Sequence, residues 1–234
     1  MSKTTIPTGG ITADAVNGTL IADDAINSEH YTDGSIDTAH VADSQITAAK
    51  TSGVAGVSFI SSTVLSAASA VTISSCFSSS FQNYMVIVQN LRVTEDADIF
   101  FQFASSGTAS NDNQYRYAGQ GLDRNGTDRD YSGSHTAMLI AKQLDGGDGA
   151  SDLFGVYYIC DPNESAVNRK RVTGHTNHSY GSNSADTTTH ISGTYEKAST
   201  AFDGLTVSTG AGNFRAGDAS DGHGLIKIYG IADS

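Results

Sequence analysis

The chain is poor in the residues that define several common protein classes. Its 234 residues include two cysteines, two prolines and no tryptophan. Two cysteines, Cys76 and Cys160, are too few for a disulfide framework, and we expect both to be free thiols among apolar neighbours. No apolar run approaches the roughly 20 residues needed to cross a bilayer, and the first residues lack the apolar segment of a signal peptide. We therefore expect folding in a cytoplasm and no membrane insertion.

Positive charge is also scarce, with 13 Lys and Arg against 25 Asp and Glu and a formal net charge of −12. Binding to nucleic-acid phosphates or to anionic lipid needs a basic surface, so neither is an expected partner. The basic cluster Arg169-Lys170-Arg171 is interpreted as a contact with another subunit or with a capsid. Few charges and 25 glycines are typical of an all-β or fibrous protein.

The first fifty residues carry a repeat with a period of five. Its members form an aliphatic stripe at every fifth position: Ile6, Ile11, Val16, Ile21, Ile26, Tyr31, Ile36, Val41 and Ile46. A period of five fits neither a helix nor a strand, so the pattern predicts a repeated unit of extended and turn segments. One narrow stripe cannot bury itself on a single extended chain, whereas several chains around a common axis can bury it. Residues 1–50 are therefore predicted to form an extended fibrous arm that associates with further chains.

Two other structures agree with part of this pattern. Pentapeptide-repeat β-helices share the period, but they need a small residue two positions before each central apolar one. Most of those positions are polar or charged in this chain. A disordered acidic leader agrees with the composition, but the unbroken repeat argues against it.

Residues 51–58 are predicted to be a hinge, and residues 59–234 follow a different pattern. Eight to ten strand-like runs alternate with turn-rich stretches, and no stretch has convincing helical periodicity. We predict an all-β domain, an antiparallel β-sandwich with a jelly-roll topology. Three long intervening segments, residues 104–114, 120–135 and 176–187, are predicted to be loops, where binding residues usually concentrate.

The strongest binding candidate in this domain runs from Gln114 to Tyr131 and concentrates tyrosine, arginine and aspartate. Tyrosine rings offer flat apolar faces to sugars, and Arg and Asp form directional hydrogen bonds with hydroxyls. The same mixture also suits a protein–protein contact or a solvated loop with local ion pairs. The candidate receptor or partner residues are Tyr115, Arg116, Tyr117, Asp123, Arg124, Asp128, Arg129 and Tyr131.

No motif predicts a catalytic residue, a cofactor or a metal site. The chain has no Gly-x-Ser-x-Gly, no His-Glu-x-x-His and no phosphate-binding glycine loop. His175 and His178 are three residues apart, which places them on opposite faces of a strand and disfavours joint ligation of one metal. Carboxylates are numerous, so a glycosidase pair among them stays an open alternative.

The stretch from Ile21 to Thr47, with its Asp-Gly-Ser-Ile-Asp and His-Val-Ala-Asp-Ser-Gln-Ile pieces, resembles repeats near the start of fibre proteins of tailed bacteriophages, particularly marine ones. The rest of the chain, including the ending Gly-Leu-Ile-Lys-Ile-Tyr-Gly-Ile, is similar in general terms to the β-rich tips and decoration domains of phage virions. The resemblance implies a homotrimer whose N-terminal segment docks on other virion proteins and whose C-terminal domain projects outward.

We therefore expect a structural virion protein and not an enzyme. The expected protein is a short homotrimeric tail or head fibre, assembled in the host cytoplasm and located in the virion. Residues 1–50 would anchor it, and its tip would serve host attachment, with a surface saccharide as a candidate ligand. One alternative is a capsid decoration or cement protein that stabilises the shell. A second alternative is a small glycan-degrading tip enzyme.

Overall fold

The computed structural model describes most of the chain, in segments separated by short gaps. The described residues are 9–12, 19–22, 25–26, 28–36, 39–42, 45–46, 56–146, 152–165, 169–181, 185–196, 200–216 and 224–232. Two stripe positions, Ile6 and Val16, and residues 51–55 of the predicted hinge lie outside this set. The chain divides into two units, Met1–Ser52 and Gly53–Ser234.

The described part of the second unit is built from thirteen strands. In chain order they are β1 (Val57–Val64), β2 (Ala70–Ile73), β3 (Asn83–Leu91), β4 (Ala97–Ser105), β5 (Thr108–Ala109), β6 (Tyr115–Asp123), β7 (Tyr131–His135), β8 (Met138–Leu144), β9 (Leu153–Cys160), β10 (Lys170–Tyr180), β11 (Ala185–Tyr195), β12 (Gly204–Thr209) and β13 (Leu225–Ile231). All pairings between these strands are antiparallel. The prediction of an all-β, antiparallel domain is confirmed. Nowhere in the described segments is there a helix with the length and apolarity to cross a bilayer.

The strands form one sheet that contains two runs of four. The first run is β1-β13-β3-β9, and the second is β8-β4-β12-β2. Strand β10 links them, because it pairs with β9 over most of its length and with β8 at Tyr180 and Leu144. Strands β11, β6 and β7 continue from the other edge of β10, and β5 pairs with β4. The result is a nearly closed antiparallel sheet.

The hydrophobic core lies inside this sheet, between the two runs. The rings of Phe101 in β4 and Tyr157 in β9 meet edge to face, with centroids 4.8 Å apart. Phe103, also in β4, lies 5.9 Å from the ring of Tyr195 in β11. Since β4 belongs to one run and β9 and β11 to the other side of the sheet, these contacts place the two layers face to face.

Two segments predicted to be long loops are instead largely strands. Residues 120–135 include the end of β6 and all of β7, and residues 176–187 include the end of β10 and the start of β11. In the second of these segments the inward positions are polar: Thr176, His178 and Thr187 are all buried. An alternation of apolar and polar residues is what identifies a strand in a sequence, and threonine and histidine at the inward positions conceal it.

The described residues of the first unit form turns and a short 3-10 helix, Ser28–His30, and no strand. Three backbone hydrogen bonds close turns at ten-residue intervals, from Ala25 N–H to Ala22 O, Ser35 N–H to Thr32 O, and Gln45 N–H to Ala42 O. Ten residues are two periods of the stripe, so the turns follow the sequence repeat. The extended course of residues 1–50 as a whole stays a prediction.

Candidate functional site

The predicted binding segment folds as a β-hairpin, made of β6, β7 and the turn between them. Strand β6 contains Tyr115, Arg116, Tyr117 and Asp123, and β7 begins at Tyr131. The connecting turn contains Arg124, Asp128 and Arg129. The structure therefore brings the eight candidate residues into one local element, but it distributes them between the two faces of the sheet.

Two of the three candidate tyrosines, Tyr115 and Tyr117, point into the core. They are 1% and 8% exposed, respectively. The hydroxyl of Tyr115 accepts a hydrogen bond from the amide of Phe103 at 2.7 Å, and its ring lies 4.9 Å from that of Tyr195. Burial raises the pKa of the Tyr115 hydroxyl well above its usual range. These two rings stabilise the core and present no free face for stacking on a sugar.

Tyr131 is half-buried and packs across its neighbour strand. Its ring covers Gly119, where a Cβ atom would come within 2.4 Å of the ring carbon Cζ. Its hydroxyl oxygen is buried without a hydrogen-bond partner, and burial raises its pKa. Tyr131 therefore packs against the core and helps to hold the hairpin in place.

Asp123 and Arg129 organise the turn of the hairpin. One carboxylate oxygen of Asp123 accepts hydrogen bonds from the amides of Asn125 and Thr127, both at 2.9 Å. The other oxygen accepts one from Arg129 Nη2 at 2.7 Å. The Thr127 amide is the main reason that the pKa of Asp123 lies below its usual range, and Arg129 adds to the effect. The Arg129 guanidinium also lies 4.0 Å from the centre of the Tyr180 ring, a cation–π contact.

Arg116, Arg124 and Asp128 are the candidate residues that stay accessible to a partner. Arg116 lies on the outer face of β6, with its Nε atom 3.5 Å from a carboxylate oxygen of Glu196. Arg169 approaches the second oxygen of Glu196 at the same distance. Exposed ion pairs of this kind contribute about 0–1 kcal/mol each, so the cluster can exchange its partners for those of a bound molecule.

The basic cluster 169–171 is not a continuous positive surface. Arg169 and Arg171 are exposed, but Lys170 between them is buried and its ammonium donates a hydrogen bond to the carbonyl of Glu164. Burial lowers the pKa of Lys170. The alternation of a strand turns the middle residue inward, which leaves two separated arginines at the surface.

The outer face of the hairpin and its neighbour strands is a broad, shallow surface. Adjoining shallow depressions run across β7, β6, β11 and β10. The side chains lining them are mostly small or polar and include Gln120, Asp130, Ser132, His175, His190 and Ser192. Tyr131 and Leu122 add apolar surface to the same depressions, and a mixture of polar and apolar lining suits a partner that has both kinds of surface, as a saccharide does.

A second depression was not predicted from the sequence. It is lined by Ser78, Gln82, Asp161, Asn163 and Glu164. Asp161 has a φ angle of 56°, and one oxygen of its carboxylate is buried without a hydrogen-bond partner. The lining residues come from chain segments far apart in sequence, so no local motif marks the place. Asp161 and Glu164 are the carboxylates that a test of the glycan-degrading alternative should replace first.

The two histidines His175 and His178 lie on opposite faces of β10, as their spacing predicts. His178 is buried, and its Nε2 atom lies 3.0 Å from the carbonyl oxygen of Lys142. Within the described segments, no group of three or more His, Cys, Asp or Glu side chains is arranged to hold a metal ion.

Both cysteines are free thiols. Cys76 is buried, and burial raises its pKa to about 12. Cys160 is half-buried, and burial raises its pKa as well. Neither thiol has the lowered pKa of a catalytic nucleophile.

Comparisons with protein-family models, curated proteins and solved structures found no match for this chain. A function therefore has to be argued from the stripe, the sheet and the surfaces described above.

Proposed function

We propose that this protein is a structural component of a tailed-phage virion: a short homotrimeric tail or head fibre. In this proposal residues 1–50 attach the fibre to other virion proteins, and the sheet domain projects toward the host surface. The observation that carries the proposal is the exposure of the aliphatic stripe in the single chain. The resemblance of residues 21–47 to phage fibre repeats supplies the biological context.

Seven stripe positions are described, and at six of them the single chain leaves a large apolar side chain open to solvent, whereas Val41 is half-buried. The exposed fractions are 52% for Ile11, 38% for Ile21, 47% for Ile26, 50% for Tyr31, 50% for Ile36 and 61% for Ile46. Complete burial of such a side chain stabilises the folded or assembled state by about 1.5–3 kcal/mol. A side chain that stays half exposed contributes only part of this free energy. Regularly spaced exposed aliphatics therefore favour a partner surface, and identical arms around one axis provide it.

We assign the sheet domain to a jelly-roll sandwich on the basis of its strand order. Eight strands, β1, β2, β3, β4, β8, β9, β12 and β13, switch between the first run and the second at every step in chain order except from β4 to β8, which are neighbours in the second run. This order is the connectivity of a jelly roll, in which strands cross between the two sheets except at one central hairpin. The remaining strands are insertions after β4 and after β9. The insertions carry the shallow depressions of the outer face, with their mixed polar and apolar lining, and these are the best candidate for contact with a host saccharide.

A second exposed apolar surface supports assembly of the sheet domains as well. Phe59, Tyr229, Met85 and Tyr158 lie side by side on β1, β13, β3 and β9, in the register of the pairings. Phe59 is 60% exposed and Tyr158 is 44% exposed. We name this row with its neighbour Val57 the outer apolar face. Contiguous apolar surface of this kind is typical of an interface between subunits.

The test is the native mass of the full chain, measured by light scattering or native mass spectrometry, for the wild type and two stripe-region variants. We expect the wild type to be a trimer and Ile36→Asp to weaken or abolish it, because three buried carboxylates would meet near the axis. Ser35→Asp adds the same charge one position off the stripe and is expected to keep the trimer.

A wild-type monomer at micromolar concentration would overturn the proposed assembly. A trimer that Ile36→Asp leaves intact would show that the stripe does not form the contact between chains. Release of sugar from host polysaccharide by the purified protein, lost in Asp161→Asn, would favour the enzyme instead. Binding to intact capsids that raises the heat stability of the shell, with no binding to host cells, would favour the decoration protein.

A further inference from the structure

Two histidines that are fifteen positions apart in the chain face each other on the outer surface of the sheet. His175 of β10 and His190 of β11 are direct partners in the antiparallel register. Both are exposed, and their ring centroids are 4.6 Å apart with a tilt of 36° between the ring planes. Neither ring takes part in the core or in the proposed trimer contacts.

The backbone beneath this pair is held in place on both sides. Strand β9 pairs with β10 so that Val156 lies opposite His175, and β6 pairs with β11 so that Gln120 lies opposite His190. The two imidazoles therefore project from the interior of a four-strand segment and not from a mobile loop. Little conformational entropy is lost when such a pair binds a common ligand.

The separation of the rings suits two imidazoles that share one metal ion. Each ligating nitrogen lies about 2.1 Å from a zinc ion, which places the ring centroids of two ligands on the order of 5 Å apart. The contact of His190 Nε2 with Thr173 Oγ1, at 3.5 Å, is at the limit of a hydrogen bond and does not lock the ring. Both rings can therefore turn a nitrogen toward a common ion.

We propose that His175 and His190 form a surface site for one divalent transition-metal ion, with Zn²⁺ as the physiological candidate. Imidazole is a preferred ligand of Zn²⁺, Cu²⁺ and Ni²⁺, and an acidic chain attracts cations to its surface. The pair supplies two ligands, and no third residue among the described His, Cys, Asp and Glu side chains completes a set. The remaining coordination positions are open to water or to a donor group from outside the chain.

The surroundings of the pair favour such an outside donor. His175 and His190 line a depression together with Gln120, Leu122 and Asp128. The depression gives a metal-bound ligand room above the sheet, and a carboxylate or amide oxygen at its edge can hydrogen-bond to that ligand. The site is thus suited to bridging this protein to a polar partner group.

The test is a Zn²⁺ titration of the full-length protein without an affinity tag, by calorimetry in a buffer that does not chelate metals. We expect one Zn²⁺ ion per chain and tighter binding of Cu²⁺, following the order of stability of divalent complexes. Loss of an outer-shell partner already weakens metal sites about 10–100-fold, so His175→Ala and His190→Ala should each weaken binding by at least about tenfold. His135→Ala removes an exposed imidazole that has no histidine opposite it and should leave the affinity unchanged.

A second measurement identifies the ligands directly. In NMR spectra, Zn²⁺ should shift the ring signals of His175 and His190 together and leave those of His135 in place. Absence of zinc binding by the wild type, or wild-type affinity in both single variants, would overturn the site. The oligomeric state is measured in the same samples. A failure of zinc binding can therefore be distinguished from a failure of the proposed trimer.

Discussion

At the scale of single residues, His178 is the clearest case in which burial controls chemistry. Its Nε2 atom is paired with the Lys142 carbonyl, and its Nδ1 atom is buried without a partner. Protonation at Nδ1 would create a charged donor with nothing to accept its hydrogen bond. Burial accordingly lowers the pKa of His178 below the usual histidine range.

This leads to a pH-dependent stability. Below the ordinary histidine pKa of about 6.5, the unfolded chain binds a proton at this position that the folded chain resists. The free energy of unfolding therefore falls as the pH drops below that value, by at most about 1.4 kcal/mol per pH unit. We expect His178→Gln, which cannot titrate, to show a shallower loss of stability between about pH 6.5 and 5 in urea unfolding.

The ring signals of His178 can also be followed by NMR over the same pH range in the folded wild type. A His178 ring that titrates at or above the ordinary histidine pKa would contradict the prediction.

At the scale of secondary-structure elements, the middle of the sheet depends on glycines that make room for an aromatic ring. Gly155 in β9 and Gly174 in β10 both lie under Tyr157, whose ring is fully buried. The Tyr157 hydroxyl lies 2.6 Å from Thr176 Oγ1, which completes the packing with a buried hydrogen bond. Glycine in a strand weakens it unless a neighbour uses the space, and Tyr157 does so here.

Gly174→Ala is therefore expected to destabilise the domain. The new Cβ atom would lie 2.5 Å from both the backbone oxygen of Val156 and Cδ1 of Tyr157, so strand and ring would have to move. Overpacking of this kind costs about 1–3 kcal/mol, measurable by urea unfolding at fixed protein concentration.

Gly56→Ala is the control, since an added Cβ there meets no atom within 4 Å. Its stability should stay within about 1 kcal/mol of the wild type, and a small gain would reflect the stiffer unfolded chain. Equal effects of the two alanines would show that the space under Tyr157 is not limiting.

At the scale of the whole molecule, each of the two units has an apolar surface that the single chain does not bury. The stripe in the first unit and the outer apolar face in the second both present large apolar side chains to solvent. Single exposed apolar residues are ordinary, but a periodic stripe and a contiguous row are not. The two surfaces independently favour association of several chains.

A substitution on the outer apolar face should reveal its part in assembly. If the proposed trimer uses this face, Phe59→Asp should lower the native mass or raise the concentration needed for assembly, because a carboxylate would enter an apolar interface. Leu122→Asp is the matched control, since Leu122 is 55% exposed but lies on β6, outside the row. An unchanged oligomer with Phe59→Asp would restrict the assembly contacts to the arm.

The sequence alone determined the class of the second unit. Short apolar runs such as Tyr84–Val88, bounded by turn-rich stretches, predict strands because β-branched and aromatic residues favour an extended backbone. The absence of helical periodicity in residues 59–234 likewise predicts an all-β domain. The predicted runs fall in ten of the thirteen strands, and the other three are β1, β5 and β7. Strand β1 begins inside the predicted hinge, β5 has two residues, and β7 is mostly small and polar, so none of them shows an uninterrupted apolar run.

The binding residues could be predicted only in part. The tyrosines of the hairpin were correctly placed in one local segment, but their direction is decided by the register of β6 against β11, which buries Tyr115 and Tyr117. The pairing of His175 with His190 and the depression around Asp161 join residues from separate segments. No local motif marks them, because contacts between distant segments arise only when strands pair.

What the sequence by itself determined is therefore the local pattern of each part: an apolar residue at every fifth position up to residue 46, and short apolar runs between turn-rich stretches after residue 58. Only the tertiary structure decided which side chains face inward and which strands become neighbours. The physical reason is that periodicity follows from the backbone geometry of each element, whereas neighbours are selected by how the whole sheet closes over its core.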